Sequence, residues 1–288
     1  MKKINRRSFL GKTTAGLGSA FALSQLSLPM FLKSIPEPYD MPVGFQSFAV
    51  RDKIGKDFPG TLKLMSGQGF QLIEMCSPKG YATLGFGSLV DMKPSDMKKI
   101  INDSGLNCPS CHFGFGELTD HLDERIEWSN QLGLTQMICS TFWLPKTATL
   151  NDYLAAADKL NIAAAKIKKA GMQAGFHNHD FEFAILDNQL IYDALMGRFD
   201  PDLVKMQFQT EVINLGYKAS TYFYKYPGRF ISSHLSDWTA DKKEAVIGQG
   251  IIDWKEFFIA AKTGGVKNYF VEMNYDKMEP SAAYLHHM

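Results

Sequence analysis

Residues 152–183 read DYLAAADKLNIAAAKIKKAGMQAGFHNHDFEF, and this stretch contains both kinds of element from which we predict the fold. Apolar residues recur at roughly helical spacing in its first part, which predicts a helix over residues 152–169. Gly171 follows, and a glycine past a helix end adopts the left-handed conformation at little cost. The β-rich run 172–183 then predicts a strand, so the stretch indicates one unit of a parallel α/β sheet.

The same unit recurs along the chain from Met41 to Met288. Eight β-rich runs begin 26 to 38 residues apart, and helical patterns lie between most of them. Eight units in ~245 residues fit a (β/α)8 TIM barrel better than an open sheet. The segment after the first run, residues 51–55, also lacks the glycine fingerprint of a doubly wound nucleotide-binding sheet. We therefore predict one TIM barrel of the α/β class over residues 41–288 and no nucleotide cofactor.

The elements of this barrel are predicted from periodicity and from glycine positions. The predicted strands are 43–50, 70–75, 106–112, 135–140, 172–183, 203–209, 229–235 and 267–273. Further helices are predicted over 94–103, 118–132 and 253–262. The glycines expected just past helix ends are Gly69, Gly105, Gly133, Gly171 and Gly265.

The first 38 residues carry the features of an export signal. Met1–Lys12 is basic, residues 13–32 are apolar and small, and NRRSFL at 5–10 resembles the twin-arginine signal. We predict a signal and linker over 1–38, the twin-arginine export machinery as a partner, and a periplasmic location. Glycines and serines interrupt the apolar stretch, which makes it weak as a permanent membrane span. Anchoring by an uncleaved signal remains the alternative, because no clear cleavage site stands out.

Charge separates this segment from the rest of the chain. The first 34 residues hold six of the 31 basic residues and no acidic residue, which leaves 25 basic against 30 acidic residues elsewhere. A body with a net charge of −5 and no basic run argues against a nucleic-acid partner. Four cysteines are too few for a disulfide scaffold.

Polar residues concentrate at the ends of the predicted strands, where a TIM barrel carries its active site. His177 and His179 lie two residues apart on a predicted strand and are expected to point the same way. Two imidazoles aimed at one point suit a divalent metal ion or a polyhydroxy substrate. His234 and Glu272 on later strands complete a set of nitrogen and oxygen ligands.

Blocks spread over nearly all of 41–288 resemble the sugar phosphate isomerase/epimerase family, which has a xylose isomerase-like TIM barrel. The most specific blocks are Gly175–Phe183, GFHNHDFEF, and Gly248–Trp254, GQGIIDW. Weaker matches are 44–46, 50–52, Glu74, 226–230, 234–238 and 271–272. The resemblance implies a carbohydrate substrate and a divalent metal ion, Mn, Mg, Co or Zn, at the mouth of the barrel.

The resemblance also implies which residues hold the metal. Family members typically use Glu, Asp, His and Glu from strands 5 to 8, and the matching positions here are His177, Gln209, His234 and Glu272. Gln209 departs from the pattern, and a neutral amide is a weaker ligand for a hard cation than a carboxylate. Ser236 stands where many members have Lys. A weaker or softer metal site, a different substrate and no metal at all remain open.

The family reaction is proton abstraction beside a carbonyl, which gives an isomerase or epimerase. The expected acid/base pair is Glu182 and Glu272, with His179 and His112 orienting substrate hydroxyls. The predicted substrate-binding residues are Gln46, Arg51, Glu74, His112, Trp143 and Asp237. Alternatively, Glu74 is a second base or forms a salt bridge at the barrel rim. The alternative for Arg51 is a pair with an acidic residue at the rim, and the alternative for Trp143 is to anchor a loop.

Two other functions remain open. Loss of a leaving group instead of reprotonation makes the protein a lyase or dehydratase on keto-sugars or 3-keto-glycosides. An exported location favours such substrates, because sugar phosphates are mainly cytoplasmic and no phosphate loop is visible in the sequence. The departures at Gln209 and Ser236 support a non-catalytic exported sugar-binding barrel. The oligomeric state does not follow from the sequence.

Cys108–His112 reads CPSCH, a literal C-x-x-C-H, which in an exported protein is typical of haem attachment or of a redox pair. The motif lies on a predicted strand inside the barrel, which leaves little room for a haem. Alternation along the strand also directs Cys108 and Cys111 to opposite faces. We therefore predict packed cysteines, a site histidine and no haem.

Overall fold

The computed structural model describes residues 42–288, so the predicted signal segment 1–38 lies outside the described residues. The described residues form one compact unit. None of the helices in the described range is long and apolar enough to cross a bilayer.

Eight parallel strands close into a barrel, and this confirms the predicted (β/α)8 architecture. Each strand pairs with its sequence neighbours, and the first strand pairs with the last to close the sheet. The strands are β1 (Val43–Gln46), β2 (Leu72–Cys76), β3 (Asn107–Phe113), β4 (Gln136–Cys139), β5 (Gln173–His177), β6 (Val204–Gln209), β7 (Phe230–Leu235) and β8 (Asn268–Val271). Two short antiparallel hairpins, 185–190 and 237–245, lie in the loops after β5 and β7.

The helices alternate with the strands and surround the barrel. They are α1 (Arg51–Ile54), α2 (Phe58–Gly67), α3 (Pro94–Asp103), α4 (Phe115–Asp120), α5 (Leu122–Leu132), α6 (Leu150–Lys169), α7 (Ile191–Arg198), α8 (Ala219–Lys225), α9 (Trp254–Gly264) and α10 (Tyr275–His286). Local chemistry fixes several ends: the Asp253 side chain, for example, accepts a hydrogen bond from the Glu256 amide at the start of α9. All five glycines predicted past helix ends have positive φ, between +80° and +96°.

Three predicted elements end elsewhere than expected. β1 stops at Gln46 because the Gln46 side chain accepts from the Phe48 amide and starts a short 3-10 helix over Ser47–Val50. β5 stops at His177, and the next residues turn away because the Glu182 carboxylate accepts from the His179 amide at 2.8 Å. The helix predicted over 118–132 is two helices, α4 and α5, separated at His121.

The barrel interior is apolar near the amino ends of the strands and polar near their carboxyl ends. Gly44 and Gly175 make room for the apolar part, since a Cβ on them would lie 2.5 Å from Phe270 Cδ1 and from Ile138 Cδ1, respectively. One layer further along the strands, the buried interior side chains are Gln46, Glu74, Ser110, His112, His177, Gln207, Ser232 and His234. This change of character places the polar chemistry at the end where barrel active sites form.

Candidate active site

A cavity of about 640 Å³ opens at the carboxyl end of the barrel. Seven of the predicted site residues line it, namely Arg51, His112, Trp143, His177, His179, Gln209 and Glu272. The volume falls in the range of ~300–1,000 Å³ that is usual for small-molecule sites. Residues separated by more than 200 positions in the sequence therefore share one wall.

Three histidines converge beneath this cavity, from β3, β5 and β7. The ring centroids of His112 and His177 lie 5.0 Å apart, those of His112 and His234 5.1 Å, and those of His177 and His234 4.4 Å. Each ring offers one nitrogen to a cluster whose ligand atoms all lie within 4.8 Å of one another. His112, which the sequence assigned to substrate orientation, therefore lies within this histidine cluster.

His234 lies between two carboxylates. Its Nε2 is 2.5 Å from Glu74 Oε2 and its Nδ1 is 2.8 Å from Glu272 Oε2. Burial disfavours the charged ring, but Glu272 and Glu74 outweigh burial and raise the pKa of His234 to about 9. Nε2 of the imidazole thus points into the barrel, and Nδ1 points toward Glu272 at the cavity wall.

Glu74 is completely buried and does not line the cavity, so it does not meet a substrate there. Its carboxylate accepts hydrogen bonds from Gln46 Nε2 at 2.7 Å, Ser110 Oγ at 2.5 Å and Gln207 Nε2 at 2.8 Å. Burial raises its pKa, but the neighbouring His112 and His234 outweigh burial and lower it to about 2. The predicted substrate-binding role of Glu74 and Gln46 is thus corrected: Gln46 is buried too, and both hold the polar network beneath His234.

The donor atoms expected for a divalent metal ion come together here. Gln209 Nε2 donates to Glu272 Oε2 at 2.8 Å, next to the contact between Glu272 and His234. His177 Nδ1 and Gln209 Oε1 are buried without a hydrogen-bond partner among the described residues, so both lone pairs are free to bind a ligand. Histidines that bind metals usually donate their other ring N–H to a carboxylate, and Glu74 takes this position behind His234. The unpartnered atoms of His177 and Gln209, together with the Glu272 carboxylate, fit a divalent cation, and His234 would join them on losing the proton that its raised pKa retains.

Burial keeps His177 and His179, which both line this wall, neutral. It lowers the pKa of His177 well below the usual value, and neighbouring histidines add to the effect. It also lowers the pKa of His179 to about 4, against the opposing pull of Glu272. Neutral imidazoles offer a lone pair to a metal ion or accept a proton from a substrate.

Two predicted site residues hold loops instead of facing the cavity. The buried Glu182 accepts from the His179 amide, and burial raises the pKa of its carboxyl to about 8. Asp237 is fully buried and accepts from the amides of Gly248 and Gly250 and from Trp254 Nε1. Neither residue lines the cavity. The structure therefore does not support the acid/base role predicted for Glu182 or the substrate contact predicted for Asp237.

Arg51 and Trp143 lie at the rim of the cavity. Arg51 Nη1 donates to the Phe48 carbonyl at 3.0 Å, and its guanidinium lies 4.2 Å from the centre of the Phe48 ring. Trp143 is 70% exposed and has a positive φ of 53°, a conformation that costs a non-glycine residue ~1–3 kcal/mol. A large aromatic ring held in a strained, exposed position is typical of a functional surface.

Loop residues that sequence reasoning did not select complete the wall. They are Tyr81, Glu211, Trp238, Glu244 and Tyr275. Glu211 follows β6 by two residues, so its position near a strand end was a usable signal. Tyr81 comes from a turn, Trp238 and Glu244 from the short hairpin 237–245, and Tyr275 from the start of α10. At such positions the spacing along the chain does not indicate the direction of a side chain.

The cysteines of the C-x-x-C-H motif are free thiols. Burial raises the pKa of Cys108 to about 12 and that of Cys111 well above its usual value. A reactive cysteine needs a stabilised thiolate, so these thiols do not suit disulfide exchange. Cys111 packs in the hydrophobic core around the barrel, as the alternation of the strand predicts.

A closed parallel barrel with a polar cavity at its carboxyl end is the architecture of TIM-barrel enzymes. The chain belongs to the xylose isomerase-like TIM barrel family, whose model matches residues 62–288. A comparison with the curated proteins finds no match.

Solved structures are similar to the chain across most of its length. A sugar phosphate isomerase/epimerase from Parabacteroides distasonis ATCC 8503 is 22% identical, covering 84% of this chain and 93% of that chain, with a TM-score of 0.73. An L-ribulose 3-epimerase is 15% identical, covering 85% and 94%, with a TM-score of 0.60. The IOLI protein with a bound zinc atom is 13% identical, covering 85% and 94%, with a TM-score of 0.60. At these identities the likeness establishes the fold.

Proposed function

We propose that the protein is a carbohydrate isomerase or epimerase that removes a proton from the carbon beside a carbonyl group. The observation that carries this proposal is the convergence of His112, His177 and Glu272 on one cavity of about 640 Å³, with the buried His234 in contact with Glu272. Membership of the xylose isomerase-like family and similarity to sugar isomerases and epimerases support the reaction class.

Two carboxyl groups of the wall suit the proton transfers. Burial raises the pKa of Glu272, but the nearby His234 and His112 outweigh burial, lower the pKa and keep the group anionic. Burial and the anions of Glu272 and Asp180 raise the pKa of Glu211. Opposite shifts of this kind separate a base from an acid, so Glu272 accepts the proton and Glu211 donates one, in place of Glu182 in the predicted acid/base pair. The neutral His179 orients a hydroxyl of the sugar between them.

His177, Gln209, His234 and Glu272 are the residues that would hold a divalent metal ion. The ion would supply a positive charge that polarises the carbonyl and adjacent hydroxyl oxygens of the sugar. A set rich in imidazole nitrogen favours zinc or cobalt over magnesium. The zinc atom bound in the similar IOLI structure supports a divalent metal ion in this chain.

Deuterium exchange from solvent tests the reaction directly. An isomerase or epimerase places solvent deuterium on a sugar carbon, which NMR detects, whereas a non-catalytic binding barrel does not. Glu272→Gln is expected to reduce the exchange rate at least ~100-fold, because an amide cannot accept the proton. Glu127→Gln, an equal change of charge on an exposed face of α5, is the control and should retain the rate. Exchange by the wild type at an unchanged rate in Glu272→Gln would contradict the assignment of the base.

A lyase acting on keto-glycosides is the second candidate, and the size of the cavity favours it. A volume of about 640 Å³ lies well inside the range that encloses drug-sized ligands, so a second ring beyond one sugar has room. Trp143 offers an exposed aromatic face for that ring. Release of an aglycone from a 3-keto-glycoside, followed by chromatography, distinguishes the lyase from an isomerase.

A further inference from the structure

We propose that Gln207 is a positioning residue: it holds His112 in the ring form that carries its hydrogen on Nε2, so that His112 meets the substrate as a hydrogen-bond acceptor. The inference rests on the proposed function, since it concerns how the same site holds a sugar. Gln207 lies on β6, is fully buried and does not line the cavity. Any role it has in the site therefore acts through the residues that it contacts.

The carboxylate of Glu74 fixes the orientation of the Gln207 amide. Gln207 Nε2 lies 2.8 Å from Glu74 Oε1 and 2.9 Å from Ser232 Oγ. An ionised carboxylate only accepts hydrogen bonds, and it repels an amide oxygen at this distance. The amide nitrogen must therefore face Glu74, which directs the amide oxygen of Gln207 to the opposite side, toward His112.

Two acceptors face the same ring nitrogen of His112. Its Nε2 lies 2.6 Å from Gln207 Oε1 and 3.3 Å from Glu74 Oε2. A lone pair on Nε2 would meet two oxygen atoms, so the hydrogen of the ring lies on Nε2. Burial lowers the pKa of His112 against the opposing effect of Glu74, which favours the neutral ring. A neutral imidazole carries one hydrogen, so Nδ1 holds a lone pair.

Nδ1 is the ring nitrogen of His112 that is left for a bound molecule. His112 lines the cavity, and none of the hydrogen bonds within residues 42–288 involves its Nδ1. A bare imidazole nitrogen accepts a hydrogen bond from a hydroxyl group and has no hydrogen to donate to a carbonyl oxygen. His112 therefore selects a hydroxyl group of the sugar, and the carbonyl group has to lie at another part of the wall.

Nitrogen NMR of the full chain, with isotope-labelled histidine, tests the ring form directly. A bare ring nitrogen resonates far downfield of a protonated one, and loss of signals in His112→Asn identifies those of His112. We expect a bare Nδ1 and a protonated Nε2 in the wild type. A protonated Nδ1, or two nitrogens with averaged shifts, overturns the proposal. Zinc added to the same sample should shift Nδ1 of His112 less than Nδ1 of His177, and a larger shift at His112 overturns the hydroxyl contact.

Gln207→Met tests whether Gln207 is the residue that fixes the ring. Loss of the amide oxygen should allow both ring forms, so the shifts of the two nitrogens should move toward each other. Gln173→Met on β5 is the matched control, because Gln173 donates to backbone carbonyls and does not line the cavity. Gln207→Asn withdraws the amide by one methylene and should cause a smaller change in the same direction, also if the Met variant fails to fold. Unchanged signals in the variants of Gln207, or equal changes in Gln173→Met, overturn the positioning role.

Two substitutions of His112 separate its ring nitrogens in the reaction. Asparagine places an amide near the position of Nδ1, whereas glutamine places one near that of Nε2. With D-fructose and D-ribulose as probes, the KM for deuterium exchange should be about 10-fold lower in His112→Asn than in His112→Gln, the effect of one hydrogen bond to the substrate. The reverse order overturns the acceptor role. Absence of exchange in the wild type contradicts the proposed function, while the NMR spectrum still decides the ring form.

Discussion

At the scale of single residues, the site is built around one imidazole held from both sides. His234 contacts Glu74 inside the barrel and Glu272 at the cavity wall, through different ring nitrogens. The inner contact holds the ring so that its other nitrogen meets Glu272, which lines the cavity. Glu74 therefore positions the residue that would bind a metal, although it never reaches the substrate.

Glu74→Gln should weaken zinc binding by about 10- to 100-fold, because an amide orients His234 less strongly than a carboxylate does. Isothermal titration calorimetry of the purified chain with zinc measures the change. Glu127→Gln serves as the control, since it removes a carboxylate from the exposed face of α5. Equal zinc affinity in wild type and Glu74→Gln would show that the inner carboxylate does not position the ligand.

Glu182→Gln should increase stability at high pH. The pKa of Glu182 is raised to about 8 in the folded protein, against 4.5 in the unfolded chain. Between these two pH values the folded protein keeps a proton on the carboxyl that the unfolded chain has released. Stability therefore falls as pH rises between about 4.5 and about 8, and the variant lacks this loss. The glutamine oxygen still accepts from the His179 amide. Urea unfolding at both ends of this window should show a gain of ~1–3 kcal/mol that appears at the upper end. A difference between variant and wild type that is the same at both pH values would contradict the shift.

At the scale of elements, the close packing of side chains and strands inside the barrel depends on glycine residues. A Cβ on Gly175 in β5 would lie 2.5 Å from Ile138 Cδ1 and 3.3 Å from the Lys205 carbonyl oxygen. The backbone of the neighbouring strand cannot move away without disturbing the sheet. This glycine fixes the spacing of β5, which carries His177 two residues later.

Gly175→Ala should destabilise the protein by ~1–3 kcal/mol, as overpacking of an ordered core does. Gly197→Ala in α7 is the matched variant, since nothing lies within 4 Å of its Cβ, and it should be neutral or stabilising by ~0.5–1 kcal/mol. Thermal unfolding followed by circular dichroism compares the two. If both substitutions shift the midpoint equally, the contact with Ile138 does not limit the packing.

At the scale of the whole molecule, residues from the ends of most strands and from the loops after them form the wall of one cavity. Arg51 is the first residue of α1, His177 is the last residue of β5, and Asn274 directly precedes α10. The net charge of −5 expected for the chain after residue 34 is consistent with the acidic residues in this wall. This negative charge favours a small carbohydrate over a nucleic acid.

The export signal over residues 1–38 stays a prediction, and it concerns where the whole molecule works. The double substitution Arg6→Lys and Arg7→Lys should leave the protein in the cytoplasm, because the paired arginines are the feature that the signal requires. Cell fractionation and immunoblotting measure the distribution between compartments. Lys2→Arg and Lys3→Arg keep the positive charge outside the pair and form the control. An unchanged distribution in the first variant would exclude this route.

The sequence by itself determined the barrel, because helix periodicity, strand composition and glycine at helix ends are local signals. It also placed His112, His177, His179, Gln209 and Glu272 at strand ends, and these residues line the cavity. Tertiary structure decided the rest. Whether a carboxylate at a strand end lines the cavity, as Glu272 does, or lies buried beneath it, as Glu74 does, depends on contacts with residues far away in the sequence. His234, 160 residues from Glu74, is such a partner, and no pattern of spacing specifies a contact made across a closed sheet.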